Sequence, residues 1–165
     1  MRIYELVPAR VADARRIAAM SRELIEMGLN PTWPEARVAI HIHHRESVVL
    51  IGRTGGEVAG FAIMQFGEHT AHLNLLAVVP THQRRGVGRQ LMGWLEDSAL
   101  TAGTFGITLE LRATNAVGYA FYTSLGYREI ERVAGYYART EDAIRMARDV
   151  RPGHVFSQRN TTCAR

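Results

Sequence analysis

The sequence predicts a mixed α/β fold, with helices packed on a partly antiparallel sheet. Segments with alternating apolar residues, typical of strands, alternate along the chain with segments whose apolar residues recur at helical spacing. Adjacent strand segments towards both ends of this alternation predict hairpins, whose strands are antiparallel. The 165 residues, 47% of them hydrophobic, are enough for one domain with a sizeable core.

The first half of the chain is predicted to contain a strand, two helices and a hairpin, in that order. Residues 2–7 are predicted as a strand, and apolar residues at helical spacing predict a helix from Val11. A second helix is predicted from Pro34 to about His44. Residues 47–67 predict a hairpin, because two apolar runs flank the turn Thr54-Gly55-Gly56.

A fourth strand and the elements after it follow from the same patterns. In residues 71–79 (AHLNLLAVV), alternate side chains share a face of the strand. A helix is predicted from Val87, and residues 106–113 (GITLELRA) predict a fifth strand. Asn115 is expected to cap the next helix, and Gly126 is expected to end it in a left-handed conformation.

Two last strands, at residues 127–133 and 142–150, are predicted around a loop at 134–141. The tail from residue 151 is basic, contains Pro, Gly, Ser, Asn and Thr, and has no acidic residue, so we predict that it is mobile. The predicted organisation is therefore one domain at 1–150 and a flexible basic tail at 151–165.

Composition limits the classes of function. No apolar run approaches the roughly 20 residues that span a membrane, and the N-terminus lacks the apolar stretch of a secretory signal. The single cysteine, Cys163, excludes an internal disulfide and a multi-thiolate zinc site, and it favours the cytoplasm. We expect no membrane partner and a monomer or a homodimer. The histidines at 41, 43 and 44 are interpreted as surface residues, because 43 does not share a helix face with the others, and no metal site is predicted.

All 20 basic residues are arginine, which excludes lysine-dependent phosphate loops and lysine nucleophiles. A net charge of +4 is compatible with nucleic acid. However, the arginines are spread along the chain, except at residues 84–89 and in the tail. This distribution predicts a site for a small polyanion and no nucleic-acid partner.

Residues 83–89 (QRRGVGR), here called the glycine loop, place glycines and arginines at the start of a helix. A helix N-terminus offers unpaired N–H groups and partial positive charge, and glycine lets an anion approach the backbone. The alternative is a basic turn without a ligand. A dinucleotide site is disfavoured because the third glycine of its motif is missing.

A second motif follows in residues 109–129 (LELRATNAVGYAFYTSLGYRE), and with it the chain resembles the GNAT superfamily of acetyl-CoA-dependent N-acetyltransferases. Residues 83–88 match that superfamily's pyrophosphate loop, Q/R-x-x-G-x-G/A. Asn115, Tyr122 and the segment 125–127 match its second conserved block. The resemblance covers roughly residues 2–149. It implies a splayed central sheet with acetyl-CoA between the fourth and fifth strands, and no metal.

The resemblance also implies which residues bind acetyl-CoA. They lie on the fourth strand (Leu76, Ala77, Val78), in the glycine loop (Gln83, Arg84, Arg85, Gly86, Val87, Gly88, Arg89) and on the helix after the fifth strand (Asn115, Tyr122).

Members of the superfamily transfer acetyl directly to an amine, and the resemblance assigns the general acid to Tyr122. A phenol can protonate a departing thiolate at neutral pH; the alternative for Tyr122 is a packing role. Glu110 is the predicted base, with a pKa raised by apolar surroundings. Its alternative role is a surface pair with Arg112. His72 is the rival base, and the backbone N–H of Val78 is the predicted oxyanion donor.

Residues 135–150 resemble the closing hairpin of protein N-terminal acetyltransferases, which implies that Tyr136 and Tyr137 bind the acceptor peptide. The segment 27–44 departs from the acceptor loop of the ribosomal-protein-alanine enzymes, so Leu29 and Trp33 are predicted to line the acceptor pocket instead. The predicted activity is acetyl transfer from acetyl-CoA to a primary amine, first of all a peptide or protein N-terminus. The alternatives are a small-molecule amine acetyltransferase, acting on an aminoglycoside, polyamine or amino acid, and a non-catalytic coenzyme-A-binding module.

Overall fold

A computed structural model describes residues 4–157. Within these residues, seven strands and four α-helices form a mixed α/β fold, and the strands are antiparallel at both ends of the sheet. The strands are β1 Glu5–Pro8, β2 Ser47–Thr54, β3 Glu57–Phe66, β4 Thr70–Val78, β5 Gly106–Arg112, β6 Arg128–Tyr137 and β7 Glu141–Asp149. The α-helices are α1 Ala14–Leu24, α2 Glu35–His43, α3 Val87–Ala102 and α4 Ala116–Ser124. The strand order is β1-β2-β3-β4-β5-β7-β6, which confirms the predicted fold class.

Two compact units divide the chain. The first contains the described residues up to Gln65 together with Leu73–Leu95, and the second contains Phe66–His72 together with the described residues from Glu96. No helix among residues 4–157 is long and apolar enough to cross a membrane.

The first unit contains the predicted N-terminal hairpin. Gly55 and Gly56 link β2 to β3 with φ angles of 55° and 82°, the left-handed conformation that two-residue hairpin turns require. Ile17 of α1 and Val38 of α2 are fully buried, as are Ile51 and Phe61 of the hairpin. Amphipathic helices therefore cover one face of β2 and β3, as their apolar spacing predicted.

Burial along β4 alternates strictly, with the residues at odd positions buried and those at even positions half-buried. This confirms the predicted division of the strand into two faces. A Cβ atom on Gly60 of β3 would lie 2.9 Å from the carbonyl oxygen of Ala77. Glycine at position 60 therefore permits close approach of the backbone to the end of β4.

In the second unit β7 lies between β5 and β6, with Glu110 opposite Arg145 in the β5–β7 register. The predicted loop at 134–141 is wrong for residues 134–137 and 141, because β6 continues to Tyr137 and β7 begins at Glu141. The register shifts between Val133 and Tyr137, and a bulge of this kind lets a strand continue past an irregularity. Ala138 and Arg139 form the turn between β6 and β7 and have positive φ angles. Neither residue is a glycine, so the sequence did not indicate the position of this turn.

The described segment after β7, which belongs to the second unit, packs against its own neighbours in that unit. Arg151 pairs with Asp149 at 2.6 Å, and its guanidinium lies 4.6 Å from the ring of Phe105. A Cβ atom on Gly106 would lie 2.9 Å from the ring of Phe156. The rest of the predicted tail, residues 158–165 with Cys163, lies outside the described residues.

Candidate active site

The glycine loop connects β4 to α3 in the first unit. Arg84 and Gly86 have φ angles of 60° and 87°, and α3 begins at Val87. The first N–H groups of an α-helix have no acceptor within the helix. The loop therefore turns the chain so that these groups and the exposed Arg84 and Arg85 form a positively polarised helix entrance.

Two side chains fix the base of this loop. The Nε2 of Gln83 donates to the carbonyl oxygen of Val78 at 3.0 Å, which ties the loop to the end of β4. His82 is buried, and its Nδ1 lies 3.1 Å from the hydroxyl of Tyr4. The predicted contact of Gln83 with the cofactor stays a prediction, and in this structure its side-chain amide is bonded to the end of β4.

Gln90, in the first turn of α3, was missed by the sequence analysis. Its Nε2 is buried and has no hydrogen-bond partner among the described residues. A Cβ atom on Gly86 would lie 3.5 Å from this nitrogen. An unsatisfied buried donor costs about 1–3 kcal/mol, so an unpaired amide beside the loop glycine fits an anion-binding role. The loop residues present are therefore compatible with a pyrophosphate.

Asn115 caps α4, as predicted, by accepting a hydrogen bond from the N–H of Gly118 at 2.9 Å. A Cβ atom on Gly118 would lie 2.5 Å from the Asn115 amide, so the cap also requires this glycine. Gly126 follows the helix with φ of 93°, as predicted. The cap and the glycine fix the two ends of the helix that carries Tyr122.

Tyr122 is 8% exposed and packs edge-on against the rings of Phe121 and Tyr127, with centroids 5.1 and 5.8 Å away. Burial raises the pKa of its phenol, and neighbouring Tyr137 adds to the effect. The group therefore stays protonated at neutral pH, as a proton donor must. The same contacts would also serve a packing residue, so the acid role remains a prediction.

Glu110 lies at the centre of a side-chain group that we call the Glu110 cluster, consisting of His72, Thr108, Glu110 and Arg145. One carboxylate oxygen, Oε2, lies 2.8 Å from the Nε2 of His72, and the other, Oε1, accepts from the Nε of Arg145 at 2.9 Å. The cluster thus joins the start of β4 to β5 and β7 within the second unit.

The predicted rise in the pKa of Glu110 is wrong. Burial alone would raise the pKa, but the hydrogen bonds and charges of His72 and Arg145 outweigh it, and the pKa is lowered. Arg112, the predicted alternative partner of Glu110, pairs with Glu141 at 3.3 Å. Glu110 is therefore an ionised, doubly anchored carboxylate at neutral pH.

Tyr136 and Tyr137 lie at the end of β6 with their rings edge to face, 4.9 Å between centroids. Tyr136 is 47% exposed and Tyr137 is half-buried. Burial, and then the neighbouring hydroxyl and Glu110, raise the pKa of Tyr137 to about 12, and the pKa of Tyr136 is also raised. Both phenols keep their protons and are available as hydrogen-bond donors near Glu110.

The two predicted acceptor residues differ in exposure, since Trp33 is buried and Leu29 is half-buried. Trp33 is 6% exposed, with the guanidinium of Arg37 4.0 Å from its ring and the tilted ring of His41 at 4.9 Å between centroids. The buried carboxylate of Glu26 accepts from the N–H and the hydroxyl of Thr32 at 2.5 and 2.7 Å. A role of Leu29 and Trp33 in acceptor binding remains a prediction, and the burial of Trp33 leaves little of its ring for a ligand.

The three histidines do not form a metal centre. His41 hydrogen-bonds to the hydroxyl of Ser47 at 3.0 Å, and burial, with Arg37 nearby, lowers its pKa. His43 and His44 are exposed. Within residues 4–157, no group of three or more potential ligands is arranged to hold a metal ion.

Comparison with protein families adds an independent finding to this geometry. The sequence model of the acetyltransferase (GNAT) family matches residues 17–127. The [ribosomal protein bS18]-alanine N-acetyltransferase of Escherichia coli strain K12 is 43% identical over 95 residues, which cover 56% of this chain and 64% of that enzyme. The N-alpha-acetyltransferase RimI of Mycobacterium tuberculosis is 32% identical over 145 residues, covering 84% of this chain and 87% of that protein. In sequence, the chain thus matches slightly less than two thirds of the length of the E. coli relative.

Solved structures show the same fold. The ribosomal-protein-S18-alanine N-acetyltransferase of Escherichia coli superposes with a TM-score of 0.78 and 29% identity over 98% of this chain and 100% of that chain. The PaiA N-acetyltransferase of Thermoplasma acidophilum, solved in complex with coenzyme A, superposes with a TM-score of 0.77 and 16% identity, covering 90% of this chain and 99% of that chain.

Proposed function

We propose that this chain, which belongs to the acetyltransferase (GNAT) family, transfers an acetyl group from acetyl-CoA to the α-amino group of a protein or peptide N-terminus. Membership confirms the resemblance predicted from the two sequence motifs. The observation that carries the proposal is the ionised Glu110, anchored by His72 and Arg145 next to two protonated tyrosines.

The first unit supports binding of the cosubstrate. Acetyl-CoA supplies the activated acetyl thioester, and the glycine loop supplies N–H groups, Arg84 and Arg85 for its pyrophosphate. The unpaired amide of Gln90 adds a donor at the same place. The backbone of Leu76, Ala77 and Val78 remains the proposed partner of the pantetheine arm.

Proton transfer is assigned to the second unit. An acceptor amine is an ammonium at neutral pH and must lose a proton before it attacks, and Glu110 is the proposed acceptor of that proton. The departing thiolate needs a proton, and the buried phenol of Tyr122 is its proposed donor. Besides burial, Tyr137 raises the pKa of Tyr122 and Glu110 raises the pKa of Tyr137, which supports a shared neighbourhood for the proposed acid and base.

The acceptor class rests on the relatives and on the tyrosine pair. The two curated relatives named above are called N-acetyltransferases of a ribosomal-protein alanine and of α-amino groups. Tyr136 and Tyr137 present donors that suit peptide carbonyl groups. A ribosomal acceptor would in turn support the predicted cytoplasmic location.

A polycationic small-molecule acceptor is less well supported. Such amines need an acidic pocket, yet Glu110 is paired with Arg145 and Glu141 with Arg112. The pairing leaves little uncompensated negative charge on these two carboxylates.

The experiment is acetyl transfer from acetyl-CoA, followed by mass spectrometry. The acceptors are short peptides that differ in their first residue, each with a free or a blocked N-terminus, beside polyamines and aminoglycosides. We expect acetylation only at free peptide N-termini. Acetylation of small amines alone would contradict the proposed acceptor class, and no transfer to any acceptor, with coenzyme A still bound, would favour a non-catalytic module.

A further inference from the structure

The ring of His72 has a partner at both nitrogens. Its Nε2 lies 2.8 Å from the Oε2 of Glu110, and its Nδ1 lies 2.8 Å from the hydroxyl oxygen of Thr108. Thr108 and Glu110 are two residues apart on β5, so their side chains share one face of that strand. Neither ring nitrogen of His72 is left to meet an acceptor amine directly.

The hydroxyl of Thr108 has one proton and two possible acceptors. The Nδ1 of His72 lies at 2.8 Å, and the carbonyl oxygen of Ala71 lies at 3.5 Å. The shorter contact favours donation to Nδ1. A neutral imidazole that accepts at Nδ1 carries its proton at Nε2, and that proton points at Glu110.

We propose that Thr108 is a positioning residue for the transfer reaction. Its hydroxyl holds His72 in the Nε2–H form, so that His72 and Arg145 each donate one hydrogen bond to Glu110 and Glu110 itself takes the proton from the acceptor amine. The proposal rests on the proposed function, and it resolves the choice between the two candidate bases: His72 is a donor to the base.

The number of hydrogen bonds that the Glu110 carboxylate can accept supports this assignment. Each carboxylate oxygen accepts about two hydrogen bonds, and His72 and Arg145 use one position on each oxygen. The remaining positions are available for an ammonium. In the proposed step the N–H bond of the ammonium breaks, its proton forms an O–H bond on Glu110, and the amine keeps the electron pair with which it attacks.

Several charged and titratable groups surround His72 and Glu110 and influence the pH dependence of this pair. Glu110 is faced by His72 from β4, Arg145 from β7 and Tyr136 and Tyr137 from β6, and Arg145 also contacts Glu131 of β6. The hydroxyl of Thr108 can donate to an unprotonated Nδ1 of His72, or it can accept from an Nδ1–H and donate to the carbonyl oxygen of Ala71. Threonine or serine can do either, whereas valine can do neither.

Three variants test the kinetic consequence: Thr108→Val, Thr108→Ser and His72→Gln. Thr108→Val should lower kcat roughly 3- to 10-fold, which corresponds to the loss of one hydrogen bond, and should leave the KM for acetyl-CoA unchanged. Thr108→Ser should have the kcat of the parent chain. The acid limb of the pH profile of kcat/KM reflects His72 and Glu110 together. This limb should shift along the pH axis in Thr108→Val and should keep its parent position in Thr108→Ser. His72→Gln keeps a donor for Glu110 and should retain kcat within about tenfold.

Nitrogen NMR of the full chain with ¹⁵N-labelled histidine gives a readout that needs no turnover. The His72 signals are assigned by their loss in His72→Gln. At neutral pH we expect a protonated Nε2 and an unprotonated Nδ1, with an Nε2–H proton that exchanges slowly with water, and faster exchange in Thr108→Val. Thr108→Ser should behave like the parent chain.

Two results would overturn the proposal. One is an Nδ1–H form of neutral His72 in the parent chain, which remains decisive even if Thr108→Val does not fold. The other is a His72→Gln variant as inactive as Glu110→Gln, which would make His72 the base. Absence of acetyl transfer by the parent chain would instead refute the proposed function, and the ring spectrum would still decide the role of Thr108.

Discussion

The glycine loop and the Glu110 cluster are built in different ways. The loop acts through its backbone, with Arg84 and Gly86 at positive φ and N–H groups at the start of α3. The cluster acts through side chains that three strands bring together, with carboxylate, imidazole and guanidinium groups 2.8–2.9 Å apart. We therefore expect the glycine loop to lose its function when a substitution changes the backbone conformation or fills the space for the ligand. We expect the Glu110 cluster to lose its function when a single functional group is removed.

The largest expected effect is at the loop. Gly86→Asp would place a carboxylate and a Cβ at a φ of 87°, against the proposed pyrophosphate position, and should abolish coenzyme A binding in a calorimetric titration. Gly103→Asp is the matched control, because Gly103 also has a positive φ, 77°, and has open space around it. Normal affinity in Gly86→Asp, or equal loss in both variants, would contradict the loop assignment.

In the cluster, Glu110→Gln should lower kcat by about 10²- to 10⁴-fold, the usual contribution of general acid–base catalysis. Because the pKa of Glu110 is lowered, the parent enzyme should lose activity only on the acid side of neutrality, and the variant should lack that limb. The stability that this carboxylate contributes is present above its unfolded pKa and is lost as the pH falls through the lower folded value. A variant with an unchanged pH–rate profile would exclude Glu110 as the base.

Tyr122→Phe should lower kcat by roughly 10- to 1000-fold while leaving coenzyme A affinity almost unchanged, since only the hydroxyl is removed. Tyr119→Phe is the control on the same helix, because the hydroxyl of Tyr119 donates to exposed Glu129 at 3.2 Å. Steady-state kinetics with a peptide acceptor measure both. Unaltered turnover in Tyr122→Phe would leave this residue with a packing role alone.

The same contrast explains what the sequence could predict. The glycine loop occupies seven consecutive residues, so its motif and its position at the start of a helix could be recognised from the sequence. The same holds for the Asn115 cap and for Gly126 at the end of its helix. The Glu110 cluster joins positions 72, 108, 110 and 145. Strand alternation places Thr108 on the same face as Glu110, but no local pattern connects Arg145 to Glu110. The predicted rise in the pKa of Glu110 was wrong because strand pattern indicates burial but not which charges lie opposite across the sheet.

A smaller effect is expected at the tyrosine pair. Tyr136→Phe and Tyr137→Phe each remove one donor, so the KM for peptide acceptors should rise about 2- to 13-fold per hydroxyl, with the KM for acetyl-CoA unchanged. Kinetics with peptides of two lengths would separate backbone contacts from contacts to the first residue. If neither variant changes the KM for any peptide, the pair does not bind the acceptor.

An equally small effect is expected at the glycine loop, where it tests whether a side chain contributes to a site built mainly from the backbone. Gln90→Met keeps the length of the side chain but removes its unpaired amide, so the Kd for coenzyme A should rise about 2- to 13-fold. The Kd for pantetheine, which lacks the pyrophosphate, should not change, and Gln65→Met at an exposed position of β3 serves as the control. Because the amide is buried without a partner, the ligand-free variant should be at least as stable to heat as the parent chain. Equal weakening of coenzyme A and pantetheine binding would show that Gln90 acts on the packing of α3 and makes no contact with the anion.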